Sequence, residues 1–162
     1  MGTIKSLQRK RIKEGGRLGE KMNKNCQLQK SWVWPEQVAE EIKAYIFGRG
    51  YSLNICSGLS DIGDVKIDLD PKNITVQKGD MNCLPFADNT FDVVISDPPW
   101  KINFFKRMRP FFEAVRVCKP NGRIIYNCTW RPVSKFVKLE KAIIRSDNNF
   151  CNVSIIWFFI KK

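Results

Sequence analysis

The run Phe91-Asp92-Val93-Val94-Ile95-Ser96-Asp97-Pro98-Pro99-Trp100 decides how the chain is read. Phe91 to Ser96 is a strongly β-prone run and reads as an apolar strand. It ends at Asp97, because two consecutive prolines fix φ twice and remove two N–H donors. The Asp97 carboxylate and the Pro98 carbonyl can then point outward together from a rigid turn. Two adjacent acceptors suit a group with two N–H donors, such as an exocyclic amine. Trp100 offers a flat face on which a planar base can stack, worth roughly 1–3 kcal/mol. The alternative is plain turn chemistry at Asp-Pro-Pro with Trp100 in the core.

Working outward, Tyr51–Cys56, Val65–Leu69, Ile74–Gln77 and Arg123–Thr129 read as further strands, separated by turn signals such as Asp70-Pro71 and Asn121-Gly122. Pro35 followed by Val38, Ala39, Ile42, Tyr45 and Ile46 predicts an amphipathic helix over 35–47. Helical spacing recurs over Phe104–Cys118, and Ser134–Ala142 reads as a short basic helix. Ile143–Arg145 and Val153–Ile160, around Asp147-Asn148-Asn149, predict a hairpin. Strands alternating with helices imply an α/β fold with a mainly parallel sheet. Such sheets bind ligands beyond the carboxyl ends of their strands, where Gly58, Asp68, Asp80 and Asp97 all fall.

The 162 residues suggest one domain. No histidine is present, which excludes histidine acid/base and triad chemistry. No two of the six cysteines lie within four residues of each other, so no zinc cluster and no metal site is expected. No apolar run approaches a membrane span and none follows the basic N-terminus as in a signal peptide. The expectation is an intracellular, cytoplasmic protein with no membrane partner.

Net charge is +12, unevenly placed. Residues 1–31 carry nine bases and two acids and lack apolar periodicity, which reads as a basic flexible arm preceding a folded domain over 32–162. Residues 32–100 carry five bases and eleven acids, and residues 101–145 twelve bases and two acids. An excess that large points to a polyanion partner, nucleic acid first. Arg107, Arg109, Lys119, Arg131 and Lys135 are candidate phosphate contacts, each of which would also suit a merely solvated face.

The run ending Asp97-Pro98-Pro99-Trp100 resembles the catalytic motif of S-adenosylmethionine-dependent amino-methyltransferases, the adenine-N6 and cytosine-N4 enzymes. Leu53-Asn54-Ile55-Cys56-Ser57-Gly58 resembles the family's first strand and glycine loop. Val65 to Asp70 resembles its second strand, and Lys78 to Phe86 its third-strand segment. Ser31 to Ala39 resembles the segment that precedes the first strand. The resemblance covers residues 31 to about 130. It implies a Rossmann-like methyltransferase fold and S-adenosylmethionine as cofactor. It assigns catalysis to Asp97, Pro98, Pro99 and Trp100. It assigns cofactor binding to Trp34, Asn54, Ser57, Gly58, Asp68, Asp80 and Met81, with Asp70 second to Asp68 as the ribose acid. Asn54 stands where the family usually has an acid, and Ser60 where it has a second glycine.

The implied function is methylation of the exocyclic N6 amine of adenine in nucleic acid, DNA preferred over RNA. Open alternatives are an RNA adenine-N6 enzyme, a small-molecule or protein methyltransferase, and an inactive nucleic-acid-binding module. The links Ser57–Asp64 and Asp70–Ile74 are too short for crossover helices, so the fold is expected to be pruned of some of them. Leu53, Ile55, Val65, Ile67, Ile74 and Val76 would then lie near solvent. That predicts a homodimer or an obligate protein partner covering them.

Overall fold

The computed structural model describes residues 33–99, 106–145 and 154–162. Its elements run α1 (Glu36–Ile46), β1 (Ser52–Ile55), β2 (Val65–Asp68), β3 (Gln77–Lys78), β4 (Phe91–Ser96), α2 (Met108–Val117), β5 (Cys118–Cys128), β6 (Val137–Arg145) and β7 (Ser154–Lys161). They build one seven-stranded sheet in the order β3-β2-β1-β4-β5-β7-β6. The first five strands of that order are parallel neighbours. β7 runs antiparallel to both β5 and β6. This is the pruned, mainly parallel sheet with an antiparallel C-terminal hairpin that the sequence predicts.

β4 is central because its residues are apolar on both sides. Phe91 and Val94 face one cluster, Val93 and Ile95 the other. On the first face, Leu53, Ile55, Val65, Ile67, Ile124 and Tyr126 pack against Phe111, Ala114 and Val115 of α2. On the second, Ile125, Ile156 and Phe158 pack against Trp34, Ile42 of α1 and Ile62.

Several expectations need correction. The stretch Ser134–Ala142 is not a helix, because β6 starts at Val137 and runs through it. Its Lys, Glu and Ala residues are good helix formers, but propensity is a small term and pairing along β7 overrides it. The third strand is only Gln77–Lys78, and Ile74 lies fully exposed before it. β5 begins at Cys118 and contains the expected turn as an irregularity, with Asn121 at φ 62°. α2 starts at Met108, and Phe104 lies outside the described residues.

The uncovered apolar face is also absent. Leu53, Ile55, Val65, Ile67 and Val76 are all buried, and Ile74 alone of the six is exposed. The helix-free links do the covering. Ile62 of the β1–β2 link fills one face, while Leu84 and Phe86 of the β3–β4 link pack on the other. The argument for a second subunit on that face falls with its premise.

Candidate active site

Parallel strands bring their carboxyl ends to one edge. Ile55 pairs with Ile67 of β2 and Ser96 of β4, and Ser96 with Tyr126 of β5. The residues after these positions therefore form a row. At its centre the chain leaves β1 in the left-handed region, at Cys56 (φ 56°) and Gly58 (φ 54°). Only glycine takes that conformation without steric cost, and the Cys56 turn is held by Ser57 N–H donating to Ile67 O at 3.2 Å.

Asp68 ends β2 facing this loop. Gly58 N–H donates to its Oδ2 at 3.1 Å and Asp70 N–H to its Oδ1 at 3.0 Å. Asp70 itself turns to solvent and pairs with Lys72. The glycine loop is thus tied to Asp68 and not to Asp70.

Asp80 follows β3. Gly79 N–H donates to Asp68 O at 2.9 Å, and Asp80 Oδ1 accepts from both the backbone and the side-chain N–H of Asn82 at 2.8 Å. Met81 places its sulfur 3.5 Å from Cys56 Sγ. Burial pushes the Cys56 thiol well up, and the carboxylates of Asp68, Asp97 and Asp80 push it in the same direction. Asp68, the residue after Gly79 and the residue after Ser96 thus all lie along the strand ends beside the Cys56 turn, where Gly58 N–H meets Asp68, Gly79 N–H meets Asp68 O and Asp97 N–H meets Ile55 O.

Asp97 is buried at the exit of β4. Its N–H donates to Ile55 O at 3.3 Å, and its Oδ1 accepts from Asn127 Nδ2 at 2.8 Å. Pro98 is buried and Pro99 exposed, while Trp100 lies outside the described residues. Asn127 was not singled out from the sequence. The available signal was a lone amide in the apolar run Ile124-Ile125-Tyr126-Asn127, which a core strand tolerates only where the amide has a partner.

Other predicted positions sort by place. Ser57 is buried, and its Oγ has no hydrogen-bond partner among the described residues. Asn54 is wholly buried and donates to Ile62 O at 3.0 Å, so it anchors the β1–β2 link from inside the core. Trp34 packs in the second-face cluster. Of the basic residues, Arg109 Nε donates to Asn82 O at 2.8 Å, and the Arg107 guanidinium covers the Trp130 ring at 4.5 Å. Both lie toward the carboxyl edge, and Arg131 is exposed next to Trp130.

Lys119 and Lys135 do not join them. Lys119 pairs with Asp92 near the start of β4 at 2.8 Å. Lys135 precedes Val137, which is in register with Lys161, and Lys161 reaches Cys118 O at the start of β5. These two lysines therefore sit at the opposite edge of the sheet. Among the described residues, no helix is long and apolar enough to cross a membrane.

Comparison with known proteins agrees with this geometry. Residues 35–126 match the family described as methyltransferase domain. A demethylmenaquinone methyltransferase of Symbiobacterium thermophilum is 34% identical over 94 residues, 56% of this chain and 37% of that protein. The chain thus spans little over a third of that relative's length. Among solved structures, a Pyrococcus horikoshii protein superposes with a TM-score of 0.60 at 17% identity, covering 78% of this chain and 89% of the other. A Burkholderia thailandensis 1,6-didemethyltoxoflavin-N1-methyltransferase, solved with S-adenosylhomocysteine, gives 0.59 at 8% identity, over 78% and 77% of the two chains.

Proposed function

The chain belongs to the methyltransferase domain family, and we propose that it is an S-adenosylmethionine-dependent enzyme methylating the exocyclic N6 amine of adenine in nucleic acid, DNA preferred. The observation that carries the cofactor is the junction of Asp68, the Gly58 loop and the Asp80-Met81 segment beside the Cys56 turn, where Gly58 N–H donates to Asp68 Oδ2, Gly79 N–H to Asp68 O, and Met81 meets Cys56. An acid-lined edge suits a cationic nucleoside with a hydroxyl pair and an amine. The buried, unpartnered Ser57 Oγ gives that edge one more polar group to satisfy. In this reading Asp68 and the Gly58 loop hold the ribose, Asp80 and Met81 flank the adenine, and Ser57 and Gly58 lie under the methionine part.

When bound, the cofactor supplies an activated methyl group on a sulfonium, so no covalent enzyme intermediate is required. The chain's own residues orient the acceptor. Asp97, fixed by Asn127, and the Pro98 carbonyl accept from the amine N–H groups and direct its lone pair. Trp100 stacks on the base, which leaves the helical stack at a cost of a few kcal/mol. Arg107, Arg109 and Arg131, on the same side of the sheet, are the basic residues placed to meet phosphates.

A small-molecule acceptor is the second reading, favoured by the demethylmenaquinone methyltransferase relative. One experiment separates the two. Labelled S-adenosylmethionine is offered with DNA, RNA, protein and demethylmenaquinone, and the products are digested and analysed. N6-methyladenine in the DNA digest is expected. Label appearing only in the quinone would replace this reading with the second.

A further inference from the structure

The β3–β4 crossover, residues 79–90, runs without a helix along α2. Its backbone groups still need partners, because an unpaired N–H or C=O away from water costs about as much as a lost hydrogen bond. Three charged residues of α2 supply them. Arg109 Nε donates to Asn82 O at 2.8 Å. Glu113 Oε2 accepts from Leu84 N–H at 2.8 Å. Arg116 Nη2 donates to Leu84 O at 3.1 Å, and its Nη1 to Phe86 O and Asp88 Oδ1 at 2.8 Å. Arg116 also grips Glu113 through two bonds of 2.9 and 2.8 Å.

Residues 109, 113 and 116 form one stripe of the helix. The groups they hold, from Asn82 O to Asp88 Oδ1, succeed one another along a segment of turns and bends, so the charged stripe supplies the partners that a regular element would otherwise give. That segment begins with Asp80 and Met81, and Asn82, the first residue gripped, donates twice to the Asp80 carboxylate.

We infer that Arg109, Glu113 and Arg116 are positioning residues for the cofactor, holding Asp80 and Met81 against the Cys56 turn from the far side of the crossover. The inference rests on the reading that Asp80 and Met81 flank the cofactor adenine. It also gives Arg109 a second role, in cofactor affinity, beside any phosphate contact.

The test uses the full chain with S-adenosylhomocysteine as probe, in calorimetry, together with amide hydrogen exchange. Arg109→Ala and Glu113→Gln should each weaken the probe roughly ten-fold, the size expected from one charge-assisted hydrogen bond. Both should speed exchange in residues 80–86, and Glu113→Gln should leave kcat at saturating cofactor within about two-fold. Arg109 is exposed, so its variant folds even if Glu113→Gln does not. Wild-type affinity in a folded Arg109→Ala protein, with unchanged exchange in 80–86, would overturn the inference. Asp80→Ala is the control. If it leaves probe affinity intact, the adenine assignment fails; if it weakens the probe while both α2 variants do not, the positioning role alone fails.

Discussion

Asn127 donates from Nδ2 to Oδ1 of Asp97 at 2.8 Å, across neighbouring strands and with both side chains buried. A carboxylate in that position is costly without a donor, and the amide provides one. The bond also fixes which way the amide is turned, because its oxygen would repel the carboxylate. Asn127 therefore sets the rotamer of the acid that is proposed to meet the acceptor amine.

Asp97→Ala is accordingly expected to abolish methyl transfer while leaving S-adenosylhomocysteine affinity nearly unchanged. Asn127→Ala should lower kcat and also cost about 1–3 kcal/mol of stability, since it leaves a buried carboxylate short of a donor. Single-turnover rates and calorimetry on both variants check this. Substantial turnover by the Asp97→Ala protein would remove Asp97 from catalysis.

Asp68→Ala should weaken cofactor binding by at least about 1.5–3 kcal/mol, the range for a hydrogen bond to a charged group. Asp70→Ala should be nearly silent, because Asp70 pairs with Lys72 at the surface. Binding isotherms decide, and the reverse pattern would move the ribose contact to Asp70.

Glu113 gives a pH prediction. Its hydrogen bond to Arg116 holds the carboxyl below its ordinary value of 4.5, and the Leu84 N–H acts in the same direction. A depressed folded-state value contributes stability that is present above the unfolded value and lost as pH falls through the folded one. The wild-type melting temperature should therefore drop below about pH 4.5 more steeply than that of Glu113→Gln. Parallel curves on acidification would show that the ion pair adds nothing.

Gly122 is a packing prediction. A Cβ there would lie 2.7 Å from Cys118 Sγ and 2.8 Å from the carbonyl oxygens of Asp92 and Lys119. Two of those atoms are backbone, so relief requires moving β4 or the turn before it. Gly122→Ala should cost about 1–3 kcal/mol, read by urea denaturation.

The basic segment 1–31 lies outside the described residues, and its proposed role is electrostatic. Deleting residues 1–24 should lessen the salt dependence of DNA binding by release of fewer counterions. The melting temperature should stay within a few degrees. An unchanged salt slope would leave the arm without that role.

The legible parts of the fold were those where pattern and burial agree. Phe91–Ser96 reads as a strand because Phe91, Val93, Val94 and Ile95 have core on both sides. Likewise α1 shows its buried stripe through Ile42 and Tyr45. β6 was illegible as a strand because an edge strand with one open side keeps the polar composition of a helix. The covering of β1–β3 was illegible for another reason: single residues such as Ile62 and Leu84, in links without periodicity, do the work of missing helices. In the candidate site, the acids were visible by their places after strands. The stripe Arg109, Glu113 and Arg116 was not, because its partners are backbone groups, which a sequence does not display.

The position of β7 bears on how the chain folds as it is made. β7 is the last strand in sequence, yet it lies between β5 and β6. Among the described residues β6 pairs with no other strand, so its backbone has no strand partner until residues 154–161 have been synthesised. Domains tend to fold from the N-terminus as they emerge. Here the parallel half can assemble early, but β5 keeps an unpaired edge and Phe158 and Phe159 are missing from the core until the end. A nascent chain stalled at residue 153 should therefore be protease-sensitive and prone to aggregate. One extended past residue 161 should become resistant in a single step.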